Sequence, residues 1–272
     1  MTGATSGIGL EASVRLAAMG ASVAIVARNS EKGARAVADI TARSRSSRVS
    51  LFTCDMSSMV AVRELARSIR AAHARLDVLV NNAGSVSPAR QTTVDGIELT
   101  FAVNHLAPFL LTNLLLGLLQ RSTPSRIVNV ASEAHRSGTI DFDNLQFERG
   151  GYAGVRAYNR SKLANILFTN ELARRLAGTN VTANSLHPGV VATNIWSHAS
   201  WYLQPIIVPL RLFMTSPQRG GETIVYLASS REVEGKSGGY YVKNRLAQTA
   251  AAAADPAVAS RLWDVSAQLV GL

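Results

Sequence analysis

Tyr158 and Lys162 stand four residues apart in Ala157-Tyr158-Asn159-Arg160-Ser161-Lys162, a spacing that places both side chains on one face of a helix. A free phenol titrates near ~10 and is a poor base at neutral pH. An ammonium beside it favours the phenolate, so such a pair can take a proton from a hydroxyl or return one. Ser132, in Val130-Ala131-Ser132, has one donor and two acceptor sites, suited to holding an oxygen against that phenol. Each feature also has an ordinary reading: a solvated helix face for the pair, a turn or cap for the serine. What decides between them is whether the fold brings them together.

A second constellation opens the chain. Thr2-Gly3-Ala4-Thr5-Ser6-Gly7-Ile8-Gly9 runs directly into a helical pattern. Its glycines allow a tight turn and close backbone approach, and the helix start offers unpaired N–H donors and a partial positive charge. Both suit a pyrophosphate. The spacing is G-x-x-x-G-x-G, wider than the G-x-G-x-x-G fingerprint, and glycines near helix starts often serve packing alone.

The elements that must position these residues alternate. Apolar, β-branched runs predict strands at 22–27, 49–53, 78–80, 126–130, 182–186 and 239–242. Helical periodicity covers 7–19, 31–45, 59–73, 98–120, 158–176, 220–228 and 257–270. Continuous apolar strands alternating with helices predict a doubly wound parallel sheet of Rossmann type, covered on both faces, over a single domain spanning 1–272. The alanine-rich stretch 248–255 reads as a turn before a docked last helix.

Composition excludes several classes. Hydrophobic residues are 47% and charged residues 17% of the 272, which argues against disorder. The net charge of +10 is nearly all arginine, scattered without interleaved aromatics, so no nucleic-acid partner is expected. Cys54 stands alone, and the five histidines lack ligand spacing, so neither an internal disulfide nor a metal is expected. The apolar run 106–119 is interrupted by Pro108, Thr112 and Asn113, short of the ~18–20 residues of a membrane span. The expected localisation is cytoplasmic.

The chain resembles the short-chain dehydrogenase/reductase family, and the resemblance rests on motifs in order. They are the wide glycine loop, Asn82-Ala83-Gly84 after the fourth strand, Asn104 within Phe101-Ala102-Val103-Asn104-His105, Ser132, the Tyr158/Lys162 pair, and Pro188-Gly189 with Thr193 beyond. Ala157-Tyr158-Asn159-Arg160-Ser161-Lys162-Leu163-Ala164-Asn165 and Arg261-Leu262-Trp263-Asp264-Val265-Ser266 look most like its retinol-dehydrogenase-like branch. The resemblance implies Tyr158 as proton donor or acceptor, with Lys162 activating it and holding the nicotinamide ribose. Ser132 would hold the substrate oxygen, and Asn104 would support a water-linked proton path from Lys162. The cofactor cradle would comprise Gly3, Thr5, Ser6, Gly7, Ile8, Gly9, Asn82, Ala83, Gly84, Pro188, Gly189 and Thr193, with Asp55 facing the adenine edge. Arg28 follows the second strand with no acid among Ala27-Arg28-Asn29-Ser30, which favours the 2′-phosphate of NADP over NAD. His135 and His187 match no catalytic position and are expected to pack or cap.

On the substrate side, 194–217 carries Ile195, Trp196, Trp201, Tyr202, Leu203, Ile206, Ile207 and Phe213. By resemblance it is a lid over a lipophilic alcohol, aldehyde or ketone; contact with a partner subunit or a membrane surface are the competing readings. Homodimers or homotetramers through the two long helices are implied as well. One element is unaccounted for: only Met1 precedes the loop, where the fold has its central strand. Omission would leave a gap of roughly 9–10 Å with unpaired edges. Either the working start lies upstream, with or without an anchor, or the chain is a non-catalytic or inactive dinucleotide-binding protein. The first is favoured because every later motif is intact, and it predicts that adding an upstream apolar strand restores folding and cofactor binding.

Overall fold

The alternation of β-branched and amphipathic segments becomes a mostly parallel sheet with helices on both faces. The computed structural model describes residues 1–189 and 216–272. In chain order the elements are α1 (Gly7–Ala18), β1 (Val23–Ala27), α2 (Ser30–Ser44), β2 (Val49–Thr53), α3 (Met59–Ala72) and β3 (Val78–Asn81). There follow α4 (Leu99–Arg121), β4 (Ser125–Val130), α5 (Gly154–Arg175), β5 (Val181–His187) and α6 (Pro217–Gly220). The chain closes with α7 (Glu222–Ser229), β6 (Tyr240–Val242), β7 (Arg245–Leu246) and α8 (Pro256–Val270). Thr193 and most of the expected lid fall at 190–215, outside the described residues; its last two positions, Ser216 and Pro217, cap and open α6.

The strands pair as β2-β1 and as β3-β4-β5-β6-β7, all parallel except the β6–β7 hairpin. Met1 and Thr2 lie between the two parts. Val26 N donates to Met1 O at 2.9 Å, and Thr2 N donates to Val80 O at 3.0 Å. Thr2, assigned by sequence to the glycine loop, is therefore a strand residue paired parallel with Val26. The expected central gap is bridged at this one end, and the doubly wound order is preserved across it.

On one face, α3, α4, α5 and α8 bury Leu65, Leu110, Leu115, Ile166, Leu167 and Leu262 against the sheet. On the other, α1 and α7 pack Ala12, Ile224 and Leu227 over Val80, Val128 and Leu186, while α1 and α2 close over Ile25. Cys54 lies in the first of these cores, its thiol pushed up to about 11 chiefly by burial, as an inert packed cysteine should be.

Three departures from the expected elements have local causes. α4 widens into a π-turn at Ala102–Leu106, where Ala107 N reaches back to Ala102 O. Pro108, just beyond, has no N–H for the carbonyl four residues earlier, that of Asn104, so the ladder shifts by one. α4 is long and apolar enough to cross a bilayer, yet most of it is buried in the domain. α5 begins four residues before Tyr158, which places the phenol one turn inside the helix. The hairpin turn at Lys243 and Asn244, with φ of 50° and 62°, was not anticipated, although Asn tolerates that conformation.

Candidate active site

The glycine loop is held by Thr2 and Asn82. Thr2 Oγ1 accepts from Asn82 N and Ala83 N, both at 3.0 Å, and Asn82 Nδ2 donates to Thr2 O at 3.0 Å and Gly3 O at 2.9 Å. A Cβ on Gly3, whose φ is +65°, would sit 2.7 Å from Ala83 Cα, and one on Gly9 would sit 2.5 Å from both Asn82 Nδ2 and Gly3 O. These two glycines are required by close packing of the loop on the β3 end. Ser6 is extended at the N-cap of α1 and makes no side-chain cap bond, so its hydroxyl is not engaged by the helix it precedes.

Beyond β4, Ala131 N continues the ladder to Leu186 O at 2.8 Å, and Ser132 turns out of the sheet. Its Oγ accepts from Ala134 N at 3.2 Å, capping the short 3-10 helix Glu133–Ser137. Ser132 and Tyr158 both line the same cavity. The expected cap is thus present, on a residue that shares a cavity with the phenol.

Lys162 Nζ donates to Val130 O at 3.0 Å and lies 5.4 Å from the centroid of the Tyr158 ring. The lysine is buried, and that burial pushes its ammonium down to about 8. The phenol moves upward: burial raises it, and the Ser132 hydroxyl pulls the other way without cancelling it. This is opposite to the activation that the four-residue spacing predicts. The physical reason is placement, with the ammonium beside the ring and bonded to a carbonyl while the phenol loses solvent.

Asn104 is fully buried in the π-turn. Its Oδ1 accepts from Ser85 N at 2.7 Å, and its Nδ2 donates to Ser85 O and to Ser161 Oγ, each at 2.9 Å. Ser161 Oγ donates in turn to Tyr158 O at 2.8 Å, which links Asn104 to α5. A Cβ on Gly84 would lie 3.5 Å from Asn104 Oδ1 and 3.7 Å from Lys162 Nζ, so amide and ammonium flank the same glycine. Ser161 and Ser85 were not singled out from sequence; the former is readable only once the helix register around Tyr158 is known.

These parts enclose a cavity of about 710 Å³. It brings together Gly3, Thr5, Ser6, Gly7, Ile8, Arg28, Asn82, Ala83, Gly84, Ser132, Tyr158, Lys162, Pro188 and Gly189. Gly9 and Asn104 support that lining from behind. Asp55 is not part of it: its Oδ1 accepts from Ser57 N at 2.9 Å and Ser57 Oγ at 2.8 Å, the loop-cap role. His187 lines the cavity and also caps, accepting at Nδ1 from Glu133 N at 3.3 Å, whereas His135 is buried behind Ser132. Among the described residues no carboxylate lines the cavity, and Arg28 is exposed at its edge with no ion pair. Closely packed glycines at a helix start, a basic rim and an acid-free lining fit an anionic dinucleotide.

Residues 1–201 match the short chain dehydrogenase family. Human retinol dehydrogenase 14 is 42% identical over 290 residues, an alignment covering all of this chain and 85% of the human protein. Human retinol dehydrogenase 13 is 42% identical over 277 residues, covering all of this chain and 84% of its own length. Among solved structures, an uncharacterized protein from Mycobacterium paratuberculosis superposes with a TM-score of 0.79 at 31% identity, over 99% of this chain and 91% of that one. A blue fluorescent protein from a metagenomic library, in complex with NADPH, superposes with a TM-score of 0.69 at 26% identity, over 88% and 92% of the two chains. The cavity therefore belongs to a family that binds nicotinamide dinucleotides and acts on small molecules, and this chain is a member of the short chain dehydrogenase family, an oxidoreductase of alcohols on its retinol-dehydrogenase-like branch.

Proposed function

We propose that the chain transfers hydride between NADP(H) and a lipophilic alcohol, aldehyde or ketone, with Tyr158 as general acid/base. The observation that carries this is the convergence of Tyr158, Ser132 and Lys162 on the cavity that the glycine loop also lines. The dinucleotide supplies or accepts the hydride when bound. The chain's own residues handle the proton and hold the reactants. Ser132 Oγ holds the substrate oxygen and the Tyr158 hydroxyl exchanges the proton with it, while Lys162 orients the ribose and, with Asn104, passes charge toward solvent. The phenol, raised by burial, carries the proton that reduction requires.

Preference for NADP rests on Arg28 at the cavity edge, unpaired among the described residues and with no acid beside it. Gly3, Gly7 and the Ser6 hydroxyl serve the pyrophosphate. Retinoid relatives and the apolar content of 194–217 support a lipophilic substrate. The direct test is loss of NADPH absorbance in the presence of all-trans-retinal or decanal. Turnover with NADPH and weak turnover with NADH is the expected result, and no turnover with either nucleotide refutes the enzymatic reading.

Arg28→Glu should weaken NADPH binding about 10- to 100-fold, the worth of a charge-assisted phosphate contact, while leaving NADH binding unchanged or tighter. Fluorescence titration with the two nucleotides checks it, and equal loss for both would assign Arg28 to the common pyrophosphate instead.

A further inference from the structure

Ser132 and Glu133 share one peptide bond, and both polar groups of that peptide end on a histidine ring. Ser132 O lies 2.7 Å from His135 Nδ1, and Glu133 N donates to His187 Nδ1 at 3.3 Å. The tautomers follow from the partners. His135 Nε2 accepts from Ala250 N at 3.1 Å, so the ring proton is on Nδ1 and is donated to Ser132 O. His187 accepts at Nδ1, so its proton is on Nε2. Two neutral imidazoles in opposite tautomers thus grip the two sides of one peptide plane.

The grip is itself anchored. Glu133 Oε1 accepts from Tyr240 Oη at 2.8 Å and Oε2 from Arg136 Nε at 2.5 Å, and the His135 ring meets Tyr240 edge-on with centroids 5.1 Å apart. Orientation of this plane is the ψ of Ser132, 156°, which sets where its Cβ and hydroxyl point. We infer that His135 and His187 are positioning residues that aim the Ser132 hydroxyl at the substrate oxygen by fixing the Ser132–Glu133 peptide. The inference rests on Ser132 holding that oxygen, as proposed above.

Neither ring can take a second proton without losing its bond. A charged His187 would set an N–H against Glu133 N–H, and a charged His135 would set one against Ala250 N–H. Around His187, Glu133 favours the charged form, while His135 and Lys162 oppose it. Around His135, Glu133 and the Ser132 carbonyl favour it and Arg136 opposes it. Burial is the largest influence on both rings and holds them below the ordinary histidine range. Both are neutral at pH 7; as pH falls below that range His187 releases Glu133 N–H, while His135 keeps Ser132 O and releases Ala250 N–H.

The experiment has two arms. In the first, 15N NMR of the NADPH complex at neutral pH reads the ring tautomers. Protonated Nδ1 on His135 and protonated Nε2 on His187 are expected, and the reverse at either ring overturns the inference whatever the turnover. In the second, NADPH-dependent reduction of all-trans-retinal or decanal, whichever is faster, is followed in His187→Leu and His187→Asn. The leucine variant should lose about tenfold in kcat with the KM for NADPH unchanged. Asparagine, whose Oδ1 can accept where Nδ1 did, should recover most of that loss and displace the acid limb of the pH profile. Equal impairment of both variants, or an acid limb unmoved by asparagine, would overturn it. If leucine also abolishes NADPH binding, the asparagine variant and the tautomers decide. A wild-type chain without turnover would refute the functional reading instead, and the ring tautomers, which need no turnover, then decide the histidine grip.

Discussion

Tyr158→Phe is expected to lower kcat by roughly a hundred- to ten-thousandfold, the usual contribution of a positioned general acid. NADPH affinity should stay within about twofold, because the substitution removes one oxygen and leaves the loop, Lys162 and Ser132 in place. Ser132 Oγ keeps its bond from Ala134 N at 3.2 Å, so the hydroxyl on the other side is not orphaned. Folding should be little affected for the same reason. Steady-state reduction of all-trans-retinal together with NADPH titration checks both halves. The pH dependence carries a sign as well. The phenol is raised by burial, so the acid form needed for reduction persists through neutral pH. Alcohol oxidation needs the phenolate and should accelerate as pH climbs toward that raised value. Retained turnover in the phenylalanine variant would assign the proton to another group.

Lys162→Met should stabilise the fold while abolishing turnover. Burial moves the ammonium from 10.5 to about 8, a displacement worth about 3 kcal/mol against the folded state at pH 7. Methionine removes that penalty and fills similar volume. The opposing loss is the bond to Val130 O, which retains Asn165 Nδ2 at 3.4 Å. The net gain is about 2 kcal/mol. Its pH window follows from the same displacement. Between about 8 and 10.5 the unfolded chain binds more protons than the folded one, so wild-type stability rises with pH across that interval. The advantage of the variant is therefore full below about 8 and gone above 10.5. Urea unfolding at neutral and alkaline pH measures it. A variant less stable at neutral pH would mean that the ammonium is structural, and unchanged turnover would remove Lys162 from the mechanism.

The pattern of local propensity made most of this architecture legible in advance. The run Val49–Thr53 forms the expected strand at both ends, and the glycine loop, Asn82-Ala83-Gly84, Ser132 and the Tyr158/Lys162 pair fall on one cavity. What escaped was tertiary. The π-turn needs Pro108 and the burial of Asn104 to be considered together, and helical periodicity over 98–120 carries no sign of a shifted ladder. Asp55 sits exposed at the expected strand end, with Oδ1 accepting from Ser57. The ammonium's effect on the phenol could not be read from spacing, since four residues fix the shared face and not which atom faces which. Nor could sequence show that His135 and His187, separated by more than a helix and a strand, meet at one peptide.

The seam in the sheet has a thermodynamic consequence. Between β1 and β3 the ladder is carried by Met1 and Thr2, and the glycine loop begins immediately after them. The cavity proposed for the dinucleotide is lined from both sides of this seam, by Arg28 after β1 and by Asn82 to Gly84 after β3. A ligand spanning it joins the β1–α2–β2 unit to the rest of the molecule. Cofactor binding and cohesion of the domain are then one linked equilibrium, and a nucleotide at about a hundred times its Kd adds about 2.7 kcal/mol to the folded state. On the proposed reading, the dinucleotide is in that sense a component of the fold as well as a reactant.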